Sequence, residues 1–330
     1  MKRSVATIGV LIVTAMGWVS TAAAQGPAKA PASQRKLSNE EKVQYEALKA
    51  LTDAVVAGKQ PAPADTKLTL HTYFLRSSDG LYIPYTLDIE PGKLTAFPVG
   101  LYVRAVPANA GPAAKPPFED IALLQELKDN KLNRAMQLAP GTYDVYIALR
   151  DKPAKEKNAP PPHTVFLKQS LQVPDLTTGL VLSSVILADT IDAAAAPLTN
   201  DQQLQQPYVM SGYNITPNQT HAFKQSGNLN FVYFIYNEGA AAGTDKPDLQ
   251  IDMNFYKEGD TTPKATLKPQ LYNGQTLPAE FSLKAGHIVS VGSGVPLMSF
   301  APGDYRLEVK VTDKTNDQST TKSESFTVIP

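Results

Sequence analysis

Apolar and polar residues alternate with a period of two along most of the chain after residue 66. In the segment 249–255 the four odd-numbered residues are apolar and the three even-numbered ones are polar. The same alternation occurs in three further segments, 81–89, 99–106 and 164–173. The segment 229–237 is apolar on both faces, which is typical of a central strand. Alternation of this kind indicates half-buried β-strands, so the chain is predicted to be mainly β.

Two segments are harder to assign. Pro84 lies inside an alternating run and has no backbone N–H, so its strand is expected to be an edge strand, or its nitrogen to face outward. The segment 118–130 carries apolar residues at helical spacing, which favours a short helix. Its place in the repeat described below favours a strand instead, and the two alternatives stay open.

Before the strands, the period is close to four between residues 38 and 58. Ser38 and Glu41 have the spacing of a capping box, and Gly58 stands where a helix ends in a residue with positive φ. These signals predict one helix from about Asn39 to Ala57. Its apolar stripe is expected to dock on the adjacent domain, with a partner protein as the alternative; the stripe consists of Val43, Ala47, Leu51 and Val55.

One phrase occurs twice, as "APGTYDVYIALRDK" at 139–152 and "APGDYRLEVKVTDK" at 301–314. Seven of seventeen residues are identical between 136–152 and 298–314. The variable positions keep their apolar or polar character, which indicates the same core-facing strand entered through a Pro-Gly turn. In both copies a turn and a last strand follow, ending at Pro174 and at Pro330. The repeat therefore predicts two related domains rather than a duplicated active site.

The ends of the repeat divide the chain. A positive start, an apolar run and Ala22-Ala23-Ala24 predict a signal peptide over residues 1–24, with an uncleaved anchor as the alternative. The predicted segments are a signal peptide at 1–24, a flexible leader at 25–37, a helix at 38–58, a first β-sandwich at 66–174 and a second at 175–330. The protein is therefore expected to be exported, to the periplasm or the extracellular space, without membrane insertion of the mature chain.

The amino-acid composition excludes several kinds of binding and catalytic site. The chain has 31 basic and 31 acidic residues, and removal of residues 1–24 takes away only Lys2 and Arg3, leaving 29 against 31. This balance gives no electrostatic case for nucleic acid as a partner. There is no cysteine, which excludes disulfides, zinc-thiolate sites and a cysteine nucleophile. The only tryptophan, Trp18, lies in the predicted signal peptide.

The Gly-x-Tyr sequences that lead the repeated strand resemble strand F of immunoglobulin-like and fibronectin-III-like sandwiches. In those folds the tyrosine forms a tyrosine corner, so Tyr143 and Tyr305 are candidates for that role. The disulfide cysteine of antibody-type domains is replaced by Val145 and Leu307. The fold class predicted is mainly β, with two tandem immunoglobulin-like β-sandwich domains preceded by one short α-helix.

Three further phrases, "PLMSFAPGDYRLEVKVTDK", "LSSVILAD" and "YEALKALTDAVVAGKQPAPAD", resemble exported proteins of Acidobacteria-type bacteria. The strand-F phrase is also similar to one in the β-domains of GWxTD and von Willebrand factor A-related proteins. The GWxTD motif and a metal-binding DxSxS motif are absent from this sequence. The resemblance implies a fold and an exported location, and it carries no site residue.

Residues with catalytic or binding potential are scattered. The four histidines show no metal-ligand spacing and are expected at the surface or at strand edges: His71, His163, His221 and His287. "VGSGVP" is not a nucleophile motif, so Ser293 is expected in a turn. Asp and Asn in two loops could supply oxygens to calcium, although hairpin turns require the same residue types. The weak calcium candidates are Asp245, Asp248, Asp313 and Asp317.

These observations predict a non-catalytic interaction or scaffolding protein of the bacterial envelope or extracellular space. Its expected partner is another envelope or extracellular protein, and no cofactor is expected. The alternative is a β-sandwich module that binds carbohydrate or calcium. Carbohydrate binding would use exposed tyrosines, and Tyr82, Tyr102 and Tyr146 are candidates because they occupy outward positions of strands. Calcium binding would use the acidic loops. Coverage by a helix or a neighbouring domain would explain the three tyrosines equally well. An enzyme ranks third.

Overall fold

The computed structural model describes residues 37–330 except 78–79, 112–113, 157 and 197. The predicted signal peptide and the leader up to residue 36 lie outside the described residues. The described chain forms two compact units. We call residues 37–175 with 200–207 the N-terminal unit, and residues 176–199 with 208–330 the C-terminal unit. The chain is mainly β, as predicted, and one long helix precedes the strands.

The N-terminal unit begins with helix α1 (Asn39–Val56). Eight strands follow: β1 (Leu68–Thr72), β2 (Leu75–Ser77), β3 (Gly80–Ile89), β4 (Val99–Pro107), β5 (Phe118–Leu124), β6 (Lys131–Leu138), β7 (Gly141–Arg150) and β8 (Thr164–Val173). In one sheet β3 pairs with β1 and β2 on one side and with β6 on the other, and the second sheet has the order β5-β4-β7-β8. Every pairing in the two sheets is antiparallel. The inward residues of both sheets are buried, as a β-sandwich requires, and β4 is buried on both of its faces from Val99 to Val106.

The C-terminal unit contains twelve strands in its described residues. They are β9 (Val181–Leu182), β10 (Ile186–Ala193), β11 (Val209–Met210), β12 (Tyr213–Pro217), β13 (Ala222–Lys224), β14 (Asn228–Tyr236), β15 (Leu249–Lys257), β16 (Ala265–Thr266), β17 (Gln270–Tyr272), β18 (Val289–Pro296), β19 (Gly303–Asp313) and β20 (Gln318–Ile329). One sheet has the order β11-β12-β10-β14-β18 with β9 also on β14. The other has the order β13-β20-β19-β15-β16 with β17 also on β15.

One apolar core joins the two sheets of the C-terminal unit. Phe231 and Tyr233 from β14 lie in the same buried cluster as Met253 and Phe255 from β15 and Leu307 from β19. Aromatic edge-to-face contacts extend this core, with ring centroids 5.5 Å apart for Phe255 and Phe300. The sheets therefore face each other across a shared core, which is the arrangement of a β-sandwich.

The repeated phrase occupies the same position in both units. In each unit its strand pairs with the unit's last long strand on one side, so β7 lies between β4 and β8, and β19 lies between β15 and β20. Each of these strands starts at a glycine with positive φ, 151° at Gly141 and 141° at Gly303. Residues with a Cβ rarely adopt this conformation, which explains the glycine in both copies.

Both repeat tyrosines make the hydrogen bond of a tyrosine corner. The hydroxyl of Tyr143 donates to the carbonyl of Ala139 at 3.0 Å, and that of Tyr305 donates to the carbonyl of Ala301 at 2.8 Å. Both rings are buried. The bonds tie the Pro-Gly turn to the strand that it enters, as in immunoglobulin-like sandwiches.

Helix α1 has the predicted bounds to within one residue, and Ser38 and Glu41 form the capping box. The predicted stripe is wrong at Val43, whose side chain is 56% exposed. The buried face consists instead of Gln44, Leu48 and Thr52, also at steps of four. The polar Gln44 and Thr52 are buried because their side chains have hydrogen-bond partners, which an apolar pattern does not detect.

Of the two alternatives for the segment 118–130, the strand is confirmed and the favoured α-helix is wrong, since β5 is followed only by one 3-10 turn at Lys128–Asn130. β5 pairs with β4 over seven residues, from Phe118 opposite Ala105 to Leu124 opposite Val99. Its buried Asp120 accepts a hydrogen bond from Arg134 of β6 at 2.6 Å, which links the two sheets. These long-range pairings outweigh the local helical spacing.

Pro84 does not mark an edge strand, since β3 is paired on both sides. The nitrogen and carbonyl of Pro84 face the gap between β1 and β2, where its carbonyl accepts a hydrogen bond from Tyr73 at 3.0 Å. The missing N–H therefore falls where the ladder is already interrupted.

The predicted second domain also contained residues 200–207, which the structure groups with the N-terminal unit. This segment carries the short helix α2 (Asn200–Gln205). The hydroxyl of Tyr82 donates to the carbonyls of Gln203 and Pro207 at 3.1 and 3.0 Å. In the described part of the chain, no helix has the length and apolar character needed to span a bilayer.

Candidate functional site

The outward face of β15, β19 and β20 is polar and reaches solvent. The inward residues of β15 and β19 fill the core, and the residues between them point outward. We call this surface the polar sheet face. It has four transverse rows: Gln250-Thr312-Ser319, Asp252-Lys310-Thr321, Asn254-Glu308-Ser323 and Tyr256-Arg306-Ser325. The charges of the polar sheet face balance, with two acidic and two basic side chains, so it favours hydrogen bonding over attraction to a charged polymer.

One end of the polar sheet face is organised around an arginine. The guanidinium of Arg306 lies 4.5 Å from the ring centre of Tyr256, within cation–π range. Arg306 also donates to Glu308 at 2.8 Å and to the hydroxyl of Ser323 at 3.2 Å. One surface of the Tyr256 ring is therefore occupied by Arg306, while the Lys310 and Thr321 side chains, two rows away, are exposed.

The equivalent face in the N-terminal unit is apolar and covered by α1. Leu48 of the helix is fully buried in one cluster with Tyr102, Ile121, Tyr146 and Phe166 of the sheet. The ring of Tyr45 meets that of Tyr102 edge to face, with centroids 5.8 Å apart. The same sheet of the repeat is therefore closed by a helix in one unit and carries exposed polar side chains in the other.

Polar contacts fix α1 in its place. The side-chain amide of Gln44 donates to the carbonyl of Asp151 at 3.1 Å and accepts from Arg150 at 3.0 Å. Arg104, which is buried, donates to Asp53 at 2.6 Å. A Cβ at Gly100 would meet Gln44 at 2.8 Å, so a glycine is needed for this close approach.

On its core-facing side, strand β20 carries charged residues where the neighbouring strand β19 carries apolar ones. Lys322 and Glu324 occupy positions opposite Val309 and Leu307, where an apolar residue would continue the core. Burial raises the pKa of Glu324 to about 7, although Lys322 partly opposes the shift. Burial also lowers the pKa of Lys322. His221 lies 3.6 Å from the Glu324 carboxylate.

The calcium candidates do not converge. Within the described ranges, no three His, Asp or Glu side chains are placed as ligands for one metal ion. The buried Asp313 accepts hydrogen bonds from the N–H of Gly239 and from the N–H and hydroxyl of Thr315 at 2.7–2.9 Å. Asp245 accepts from the hydroxyl of Ser282 and the N–H of Lys284. These two carboxylates therefore fix loops.

The other two acidic candidates lie next to strands, Asp248 directly before β15 and Asp317 directly before β20. The carbonyl of Asp248 accepts from the N–H of Lys314 at 2.9 Å, and Asp317 has a φ of 57° in the turn between β19 and β20. Asp and Asn tolerate this left-handed conformation better than most residues. The turn chemistry that the sequence allowed thus accounts for Asp317.

The histidines take separate structural positions. His71 pairs with Asp88 across β1 and β3 at 3.2 Å. His163 contacts the carboxylate of Asp65 at 2.7 Å and the carbonyl of Lys93 at 2.6 Å, and the hydrogen bond to Asp65 raises the pKa of His163. Since both partners only accept, the ring donates from both nitrogens as an imidazolium.

The remaining two histidines are held by backbone groups. His221 lies 3.1 Å from the carbonyl of Ser325, and His287 accepts from the N–H of Ser282 at 3.1 Å. Ser293 lies in β18 and not in the expected turn, because its segment pairs with β14. Its hydroxyl is buried, and no hydrogen-bond partner for it occurs among the described residues.

The tyrosines that could have formed a sugar platform are largely covered. Tyr102 and Tyr146 are 0% and 3% exposed, and Tyr82 bonds to the segment 200–207. Helix α1 covers Tyr102, which was one of the two explanations that the sequence allowed. On the polar sheet face, Tyr256 is stacked with Arg306.

Sequence reasoning identified the outward residues of β15 and β19 but did not recognise their face as the candidate site. It also missed the edge of β20. The signal for that edge is the segment "STTKSESF" at 319–326. In it Lys322 and Glu324 point to the same side of the strand as Phe326 and Val328, which are buried. Charges on the inward phase of a strand are one way in which proteins protect an edge.

No protein-family model matches the chain, and no curated protein matches it significantly.

Proposed function

We propose that the protein is a non-catalytic interaction or scaffolding protein, exported to the periplasm or the extracellular space. Its contact surface is the polar sheet face of the C-terminal unit. The observation that supports this proposal is the difference between the two units. The repeat builds the same sheet twice, but α1 covers the first copy, while the second presents balanced charges and hydroxyl groups to solvent.

The chemistry of the polar sheet face favours a protein partner. Each of its rows contains both hydrogen-bond donors and acceptors, and the pair Asp252 and Lys310 favours a partner surface of complementary charge. Sugars stack the C–H face of their ring on an exposed aromatic side chain, and one face of the Tyr256 ring is already occupied by Arg306. Polar protein interfaces of this kind contain about one hydrogen bond per 100–200 Å².

The test is capture of a partner from the envelope of the exporting bacterium with the mature protein as bait. The double variant Arg306→Glu with Lys310→Glu reverses the basic charges of the face. The matched control is Lys128→Glu, an exposed residue of the N-terminal unit. We expect the wild type and the control to capture the same protein and the double variant to lose most of it. Equal capture by all three would contradict the proposal.

A further inference from the structure

The outer edge of β20 has free backbone groups over residues 319–323, and the next carbonyl on that edge, of Ser325, lies 3.1 Å from His221. At the end of the strand, the N–H of Thr327 donates to His221 and the carbonyl of Ile329 accepts from Gln225, both toward β13. Backbone groups alternate in direction along a strand, so every odd-numbered residue of β20 faces this edge. In the described chain, β20 pairs as a strand only with β13 and β19, and β13 reaches only residues 327–329. At the start of β20, β9 also approaches, and the N–H of Leu180 donates to the Gln318 side chain at 3.3 Å.

Three residues therefore present both an N–H and a carbonyl to the open edge: Ser319, Thr321 and Ser323. Their side chains are exposed and belong to the polar sheet face. The residues between them bond to β19, so the edge itself is held in a regular strand. An extended chain can pair with such groups without any rearrangement of the sandwich.

The charges on the inward phase make this edge selective. Lys322 and Glu324 stand two residues apart on the same side of β20, and the Glu324 side chain is 28% exposed. An added strand would place its own side chains directly opposite them, where Cβ atoms lie about 4.5–5.5 Å apart. A basic residue opposite Glu324 and an acidic residue opposite Lys322 stabilise the pair, whereas like charges oppose it.

We propose that the edge of β20 binds an extended segment of a partner protein as an added antiparallel strand. In this segment a basic residue lies opposite Glu324, and an acidic residue follows two positions later, opposite Lys322. Antiparallel pairing is the more stable of the two directions. The inference rests on the proposed function and names how the partner binds beside the polar sheet face. The site spans about 23 Å for seven residues at the usual rise of a strand.

A second copy of this chain is a poor occupant. Two β20 strands have matched charges when Ser323 lies opposite Ser323 of the second copy. That register also places Ser319 opposite Thr327 of the second copy, where Ala222 of β13 already occupies the edge. The two copies would therefore collide in the one register that pairs Lys322 with Glu324.

The probe is the blocked peptide TTKTETT, which has the basic and acidic residues in the required order, and the control is TTETKTT, which reverses them. The peptides are titrated into the 15N-labelled mature protein. With the lysine opposite Glu324, the seven peptide residues pair with residues 320–326. We therefore expect downfield amide shifts and slower hydrogen exchange at Thr321 and Ser323, whose N–H groups face the peptide. The amides of Thr320 and Lys322 should change little, because they already donate to β19. TTETKTT should bind about tenfold more weakly, since both charge pairs become repulsive.

Two substitutions at Ser323 distinguish the contribution of its backbone N–H to peptide binding from that of its side chain. Ser323→Pro removes the N–H that faces the edge and should abolish binding of TTKTETT. Ser323→Ala keeps the N–H and should bind as the wild type does. Both should melt close to the wild type, because proline is tolerated on an open edge.

Several results would overturn the inference. These are shifts without the alternation between odd and even residues, equal binding of the two peptides, binding retained by Ser323→Pro, and dimerisation through β20. The peptide comparison is made on the wild type, so it stays decisive even if Ser323→Pro misfolds. Loss of peptide binding with envelope capture intact would reject strand addition alone. Loss of capture by every bait would reject the proposed function.

Discussion

Each copy of the repeat holds its turn with one buried tyrosine hydroxyl. In the C-terminal unit, Tyr305 donates to Ala301 at 2.8 Å, and its ring stacks with that of Phe326 at a centroid distance of 5.6 Å. Substitution with phenylalanine keeps the ring and removes the bond, which leaves the Ala301 carbonyl without its donor. We expect Tyr305→Phe to lower the free energy of unfolding by about 1–2 kcal/mol.

Tyr143→Phe should have an effect of similar size in the N-terminal unit, since its bond to Ala139 is equivalent. Urea unfolding followed by circular dichroism measures both variants. Tyr256→Phe serves as the control because Tyr256 lies on the solvent side of its sheet. Unfolding free energies equal to the wild type for both repeat variants would show that the corner bonds do not stabilise the turns.

Glu324 makes the stability of the C-terminal unit depend on pH. Burial raises its pKa to about 7 in the folded protein, against 4.5 for an ordinary glutamate. The folded chain therefore holds a proton that the unfolded chain releases, and stability falls as pH rises from about 4.5 to about 7. Glu324→Gln should be more stable than the wild type at pH 8, and the difference should shrink by pH 5. A difference that does not change between these pH values, measured by thermal unfolding, would contradict the assignment.

At the scale of elements, α1 depends on a glycine in the strand beneath it. Gly100→Ala places a methyl group 2.8 Å from Gln44, so the helix must shift and its bonds to Asp151 and Arg150 weaken. Overpacking of this kind costs about 1–3 kcal/mol. Gly111→Ala is the control, because nothing lies within 4 Å of its added Cβ. We expect only Gly100→Ala to speed proteolysis of the α1 segment, and equal rates would show that the close approach is not required.

The sequence predicted the elements whose signals are local. Ser38 with Glu41 marked the start of α1, and the alternation of 249–255 marked β15. The errors arose where distant residues decide the outcome. β5 is a strand because it pairs with β4, and Pro84 is tolerated in a central strand because β1 and β2 leave a gap beside it.

At the scale of the whole molecule, the repeat explains both the fold and the candidate site. Alternation alone indicated which residues of β15 and β19 point outward. It could not show that α1 would cover the corresponding sheet of the first copy, since that depends on Gln44, Leu48 and Gly100 meeting in space. It also could not show that β20 ends a sheet, because the neighbours of a strand are set by topology.

The central claim is that the polar sheet face of the C-terminal unit contacts a partner protein. Site-specific photo-cross-linking in cells of the organism that produces the protein tests this contact, with the photoreactive residue at Lys310 or Thr321 on the face, or at Lys128 as the control. If the polar sheet face contacts a partner protein, we expect one discrete adduct of the same partner from Lys310 and Thr321, and none from Lys128. No adduct from either face position, or the same adduct from Lys128, would contradict it.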